Sequence, residues 1–231
     1  MNQEKKKFYY SLVIPGLFVV LIWLIKITEV VLNVDFSQLG IYPLRFENLH
    51  GIITSPLVHK DFNHLMANTV PLLVLGSGIF YFYRPIAFKA FILIYLLSGF
   101  WLWFGGRPGY HIGASGVIYG LAFFLFFSGL FRRSIRLMAI SLLVAFLYGG
   151  LIWGLLPVDA KTSWEGHLYG GIAGVIIAFF YKNRGPQRKK YDWEIEEELE
   201  EQYGDWDEYD WEIHYHYNGR KGKDKNSKDQ L

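Results

Sequence analysis

Apolar residues gather into six runs, at about 8–32, 62–83, 86–104, 113–131, 137–156 and 164–181, with polar or Gly/Pro-bearing stretches between them. A helix needs about 20 apolar residues to cross a ~30 Å hydrocarbon core, so the pattern predicts six transmembrane helices and an all-α polytopic membrane protein. The stretch 33–61 behaves differently. It carries Leu39, Ile41, Tyr42, Leu44, Phe46, Leu49, Ile52, Ile53, Leu57 and Val58, too apolar for a solvated linker, and Pro43 and Pro56 break it too often for a span. Short helical pieces lying in the membrane interface are the expectation there. The remaining connections are short, which makes neighbouring helices antiparallel and leaves little room for a separate soluble catalytic domain.

Composition agrees: 52% of the chain is hydrophobic and 19% aromatic, beyond an ordinary soluble domain once the polar last forty or so residues are set aside. Lys5, Lys6 and Lys7 precede the first run in the manner of a signal peptide, but the run is long for one and no small-x-small site follows, so a retained anchor is expected. Lys26 and Glu29, three apart near its far end, can pair or snorkel. Lys and Arg decide orientation. With the amino terminus cytoplasmic, Lys5–Lys7, Arg84, Lys89, Arg132, Arg133, Arg136, Lys182, Arg184, Arg188, Lys189 and Lys190 fall on the cytoplasmic side, against Arg45, Lys60, Arg107 and Lys161 outside. Both termini are then cytoplasmic, as in a multi-pass protein of a bacterial inner membrane. No basic patch with interleaved aromatics suggests nucleic acid. With no cysteine, thiolate nucleophiles, disulfides and Cys-ligated metals are excluded.

Residues 1–190 read as the membrane domain and 191–231 as a cytoplasmic tail. Between 192 and 212 the tail holds twelve acidic residues with Trp193, Trp206 and Trp211, and a basic polar stretch follows. A solvated, partly disordered tail is the plain expectation, and its aromatics suit a cytoplasmic partner. His214 and His216 form too small a set for a metal site, and neither a metal nor a cofactor is expected.

Polar groups inside apolar runs are costly to bury and so point to function. His64 and Asn68, four apart, share a face of the second run. Ser115 opens the fourth, in Gly113-Ala114-Ser115-Gly116, with Tyr119 one turn on. His167 opens the sixth, in Gly166-His167-Leu168-Tyr169-Gly170-Gly171. Under the charge-derived topology all five lie at a similar shallow depth below the outer surface. Gly113, Gly116 and Gly120 mark one stripe, and Gly166, Gly170 and Gly174 another, at spacings that let membrane helices pack backbone to backbone. A close crossing would bring the Ser115 hydroxyl to His167, which could act as its base. His64, Asn68 and the Ser115 amide are candidate donors to an oxyanion. No acidic residue lies where it could orient His167, and Glu165, two residues away, points elsewhere, so a dyad is expected with Tyr119 packed on the imidazole.

With His64-x-x-x-Asn68, Gly113-x-Ser115-Gly116 with Tyr119, and His167-x-x-Gly170-x-x-x-Gly174 in this order over residues 8–182, the chain resembles the rhomboid family of intramembrane serine proteases. The resemblance implies a six-helix core with Ser115 as nucleophile and His167 as general base. It also implies an oxyanion hole of His64, Asn68 and the Ser115 amide, Tyr119 against His167, and no cofactor. Residues 33–61 become the half-embedded first loop, and 137–163 the fifth helix and overlying loop that gate lateral entry, with Gly149, Gly150 and Gly154 easing deformation. Where many bacterial members carry a Trp-Arg pair in the first loop, this chain reads Asn48-Leu49-His50-Gly51 with Arg45 upstream, leaving the loop's anchoring open. His59 matches a loop histidine of the family, with a structural role expected. The implied substrates are membrane proteins cleaved in or near a transmembrane segment close to the outer leaflet, entering from the lipid. The alternative is an inactive rhomboid-like protein that binds such segments for quality control or trafficking.

Overall fold

A computed structural model describes residues 2–147, 153–157 and 163–187, with Trp193, Ile195 and 197–199 beyond. Helix α1 (Gln3–Leu32) starts where the Asn2 side chain accepts from Glu4 N–H and ends at Asn33, whose φ of 50° is a left-handed stop. After a short α2 (Gly51–Thr54) come α3 (Phe62–Phe82), α4 (Arg84–Gly105), α5 (Ser115–Phe131), α6 (Ile135–Leu147) and α7 (Trp164–Phe180). Asp61 caps α3 by accepting from His64 N–H at 2.8 Å, and that bond holds its carboxyl below the usual carboxylate range. Proline at the start of α4 sits where a missing N–H costs nothing. Among the described residues the only extended pairing is one bridge between Ile41 and His111.

Three helices, α1, α3 and α4, are long and apolar enough to cross a membrane, and α5 is apolar but shorter. Leu17, Leu24, Val31, Phe88, Phe104 and Phe180 stand exposed on helix surfaces while Leu72, Leu75, Ile79, Ile94, Leu121 and Phe124 are fully enclosed. Apolar side chains this exposed along spanning-length helices face lipid, and the chain is an integral membrane protein. The fifth run is described as α6 only to Leu147. Residues 148–152, including Gly149 and Gly150, lie outside the described residues, and so do 158–162.

Helices α5 and α7 meet most closely. A Cβ on Gly170 would lie 2.0 Å from Gly116 O, one on Gly174 2.1 Å from Gly120 O, and one on Gly116 3.1 Å from Gly166 O. Only glycine permits that approach, which is backbone against backbone. At the far end of this pair the buried Arg132 donates to Tyr181 O and, at 2.7 Å, to Arg184 O, tying the end of α5 to the last turn of α7. Its guanidinium also lies over the Tyr83 ring, 5.1 Å from the centroid.

The first loop is built of single turns at Ser37–Leu39, Phe46–Asn48 and Ser55–Leu57 around α2. Its anchors differ from the Trp-Arg pair of the resemblance. Trp103 Nε1–H donates to Arg45 O at 3.0 Å, the Tyr95 hydroxyl donates to Ile53 O, and Asn48 Nδ2 donates to Gln38 O at 3.3 Å. Arg45 itself lies over Tyr42, 3.8 Å from the ring centroid. Lys26 and Glu29 pair at 2.8 Å, and each also holds the loop: Lys26 Nζ donates to Lys60 O, and Glu29 accepts from Phe36 N–H.

The chain divides into two compact units, 1–188 and 189–231. Of the second, Trp193, Ile195 and 197–199 are described, and they are helical. The remaining tail residues, His214 and His216 among them, lie outside the described residues.

Candidate active site

Ser115 is the first residue of α5, and the turn before it is fastened to the first loop. Gly113 N–H donates to Ser55 O at 2.9 Å, and Ala114 N–H to His59 Nε2 at 3.4 Å. Gly113 has φ +108°, and a Cβ there would sit 2.6 Å from His64 Cε1. Glycine is therefore required twice over, by backbone conformation and by the ring lying on it. Asn68 is buried on the same helix as His64, and its amide nitrogen donates to His64 O at 2.8 Å. His59, 1% exposed, has its ring against His64 at 5.1 Å between centroids. Burial, helped by the neighbouring His64, pushes the His59 imidazole down to about 4.

His167 lies in the first turn of α7, and its Nε2 is 2.9 Å from Ser115 Oγ. Its Nδ1 is 2.8 Å from Gly154 O. A carbonyl only accepts, so Nδ1 carries the proton and donates, and Nε2 keeps a lone pair that accepts from the Ser115 hydroxyl. Tyr119 stacks on the imidazole with centroids 4.2 Å apart and planes 7° from parallel. The Ser115–His167 pair thus has a third member that no side-chain inventory contains, a main-chain oxygen.

Gly154 corrects the sequence expectation in one respect. It lies in a turn after Trp153, not within a helix, and its carbonyl addresses the imidazole. A Cβ there would lie 2.0 Å from Tyr119 Oη and 3.0 Å from His167 Nδ1, so the absence of a side chain is what lets this turn close over the stacked rings. Glu165 faces away from the imidazole and pairs with Arg107 Nε at 3.4 Å.

A second serine–histidine contact stands beside the first. His111 Nδ1 lies 2.6 Å from Ser163 Oγ and its Nε2 lies 2.9 Å from Arg107 O. Sequence reasoning passed over both residues, although His111 precedes Ser115 by four positions and Ser163 precedes His167 by four. A cavity of about 30 Å³ is lined by Ser115, Ser163, His111, Ser55 and Ser98 among others. Among the described residues no group of three or more His, Cys, Asp or Glu could hold a metal ion.

The model of the rhomboid domain matches residues 47–184, which contain every one of these side chains. An uncharacterized protein of Mycobacterium tuberculosis is 39% identical over 186 residues, covering 74% of this chain and 75% of that protein. One from Mycobacterium leprae is 35% identical over 187 residues, covering 74% and 71%. A Bacillus subtilis protein provisionally named a rhomboid protease is 25% identical over 155 residues, covering 59% of this chain and 69% of its own.

Proposed function

Because the chain belongs to the rhomboid family, we propose that it is an intramembrane serine endopeptidase with Ser115 as nucleophile and His167 as general base. One observation carries the reading: Ser115 Oγ lies 2.9 Å from His167 Nε2 while the other ring nitrogen is committed to Gly154 O. That arrangement leaves the lone pair on the nitrogen that faces the serine, the protonation state a base needs before the first step. A protein that merely holds membrane segments has no use for it.

Ser115 Oγ attacks the scissile carbonyl as its proton passes to Nε2, and the imidazolium returns that proton to the leaving amine. Gly154 O accepts from Nδ1–H throughout and stabilises the charged ring. The Tyr119 ring keeps the imidazole in plane. Negative charge on the tetrahedral oxygen needs fixed donors. The opening N–H groups of α5 have no partner within the helix, and Asn68 keeps a second amide proton beyond the one given to His64 O. His64, lying on Gly113, is the third donor.

Substrates are membrane proteins that enter from the lipid and are cut near the outer leaflet. A helix hides its carbonyls in hydrogen bonds, so the segment unwinds before Ser115 reaches it. Six spans follow from the six apolar runs, the Lys/Arg asymmetry puts both ends of the chain in the cytoplasm, and such a topology suits a bacterial inner membrane. The test is labelling of the purified protein by a fluorophosphonate together with cleavage of a model transmembrane substrate. Both should vanish in Ser115→Ala, and labelling that persists there would remove the nucleophile.

A further inference from the structure

We propose that the groove between α1, α3 and α6 holds one acyl chain of an anionic phospholipid, with the lipid's phosphate against Lys7. The inference needs only a chain embedded in a membrane and is independent of the peptidase reading. Contacts between helix ends gather the basic residues. The Tyr81 hydroxyl near the end of α3 donates to Glu4 in the first turn of α1 at 2.7 Å, and Arg132 ties the end of α5 to that of α7 beside Tyr83. One end of the bundle therefore presents Lys5, Lys6, Arg84, Lys89, Arg133 and Arg184 to its surroundings, with Lys7 half-buried among them. Among the described residues of 1–188, Glu4 is the only carboxylate on those helix ends and the turns that join them. Such an end draws the phosphates of the leaflet beside it.

A groove of about 420 Å³ begins at the same place. Tyr81 lines it, and Lys7 Nζ lies over the Tyr81 ring, 4.5 Å from the centroid, with no carboxylate partner among the described residues. Phe8 and Leu12 of α1 face Leu73 and Val74 of α3 across it, and Leu125 of α5 and Ile140 of α6 complete the lining. Phe8 is 52% exposed and Val74 44%, so the groove is open toward the lipid. Its volume is that of a site for one small apolar ligand.

Two serines interrupt this apolar lining. The Ser11 hydroxyl is committed to Phe8 O at 2.6 Å. Ser77 Oγ is buried and has no hydrogen-bond partner among the described residues. A lone hydroxyl in hydrocarbon is costly unless something accepts from it. Ser77 precedes Tyr81 by four positions in α3, which places it one turn, or about 6 Å, deeper than the tyrosine that Lys7 covers. The ester carbonyls of a glycerophospholipid lie about one such turn below its phosphate. A cation, a free hydroxyl one turn in and an apolar channel beyond them therefore follow the order of phosphate, ester and chain in one lipid. Charge argues against the other occupants. A second copy of the chain seated here would set its own Lys5–Lys7 against these, and a bare peptide helix brings no phosphate to meet Lys7.

The experiment uses the full chain in detergent micelles, stripped of co-purified lipid and titrated with dioleoyl phosphatidylglycerol or dioleoyl phosphatidylethanolamine. Native mass spectrometry counts the lipid retained. The parent should keep one phosphatidylglycerol about fivefold more tightly than phosphatidylethanolamine, and Lys7→Gln should erase that preference. Lys89→Gln, at the same end but outside the groove, should leave it in place. Ser77→Ala should weaken both lipids alike, by about threefold to tenfold, as the loss of one hydrogen bond requires. Val74→Trp fills the groove from its lipid-facing side and should abolish retention of both, with circular dichroism and the thermal midpoint close to the parent. Equal retention of the two lipids by the parent would overturn the proposal, as would equal effects of Lys7→Gln and Lys89→Gln, which would reduce it to general attraction. Retention by a folded Val74→Trp would do the same. Excess glycerol 3-phosphate should leave the complex intact, and displacement by it would show an anion site with no use for the groove. A synthetic transmembrane peptide that displaces the lipid would make the groove a seat for protein segments and overturn the assignment.

Discussion

At the residue scale, the His167 tautomer that the proposed mechanism uses depends on an atom that every amino acid possesses. Gly154 O can orient His167 because nothing projects from Gly154 into the space held by Tyr119 Oη, 2.0 Å from where a Cβ would be. Gly154→Ala should therefore displace the stacked pair, and an overpacking cost of ~1–3 kcal/mol predicts a fall in kcat/KM of about tenfold to a hundredfold. The double variant Tyr119→Phe with Gly154→Ala removes the struck hydroxyl, and cleavage assays should find part of that loss restored. An unchanged rate in Gly154→Ala would show that the turn is free to move away from the ring.

At the scale of elements, the chemistry is a property of how α5 crosses α7. A Cβ on Gly170 meets Gly116 O at 2.0 Å, and because that neighbour is backbone the helices must part. Gly170→Ala should lengthen the 2.9 Å contact between Ser115 and His167 past hydrogen-bond range and lower kcat/KM by at least about a hundredfold, read with the same model substrate. Gly16 offers a control. A Cβ there meets nothing within 4 Å, so Gly16→Ala in α1 should preserve cleavage and raise helix stability by up to about 1 kcal/mol. This scale is also where the sequence was most legible. A hydroxyl and an imidazole at the heads of apolar runs, each leading a stripe of glycines, name the two segments that meet, because polar groups and small residues are what a lipid-facing helix would otherwise avoid. Gly154 was legible only as a flexible position, since a main-chain acceptor leaves no trace in residue type. His111 and Ser163 sit in connecting stretches where polar residues are ordinary, and only their shared separation from Ser115 and His167 sets them apart. The braces of the first loop, Trp103 to Arg45 O and Tyr95 to Ile53 O, were illegible for the same reason as Gly154: their acceptors are carbonyls.

For the molecule as a whole, the first loop and the turn before α5 are one fastened unit, and His59 is where acid reaches it. The folded imidazole takes a proton only at about 4, whereas an unfolded histidine does so near pH 6.5. Between those values the unfolded chain binds the proton that the folded one refuses, so the stability His59 provides at neutral pH is lost progressively as pH falls from about 6.5 to about 4. Thermal unfolding in micelles should show its midpoint dropping across that window. His59→Gln keeps an acceptor for Ala114 N–H without a titrating group, and its profile should be flatter. A parent midpoint that is constant over the window would mean that the buried ring contributes nothing.

Ser115 and His167 are 52 residues apart, with α6 between them, and the proposed base is the later of the two as the ribosome delivers the chain. Until α7 enters the membrane and docks, Ser115 is an ordinary alcohol among lipids. On the proposed reading the chain is inert through its own biogenesis, because the docking of α7 is the step that arms it.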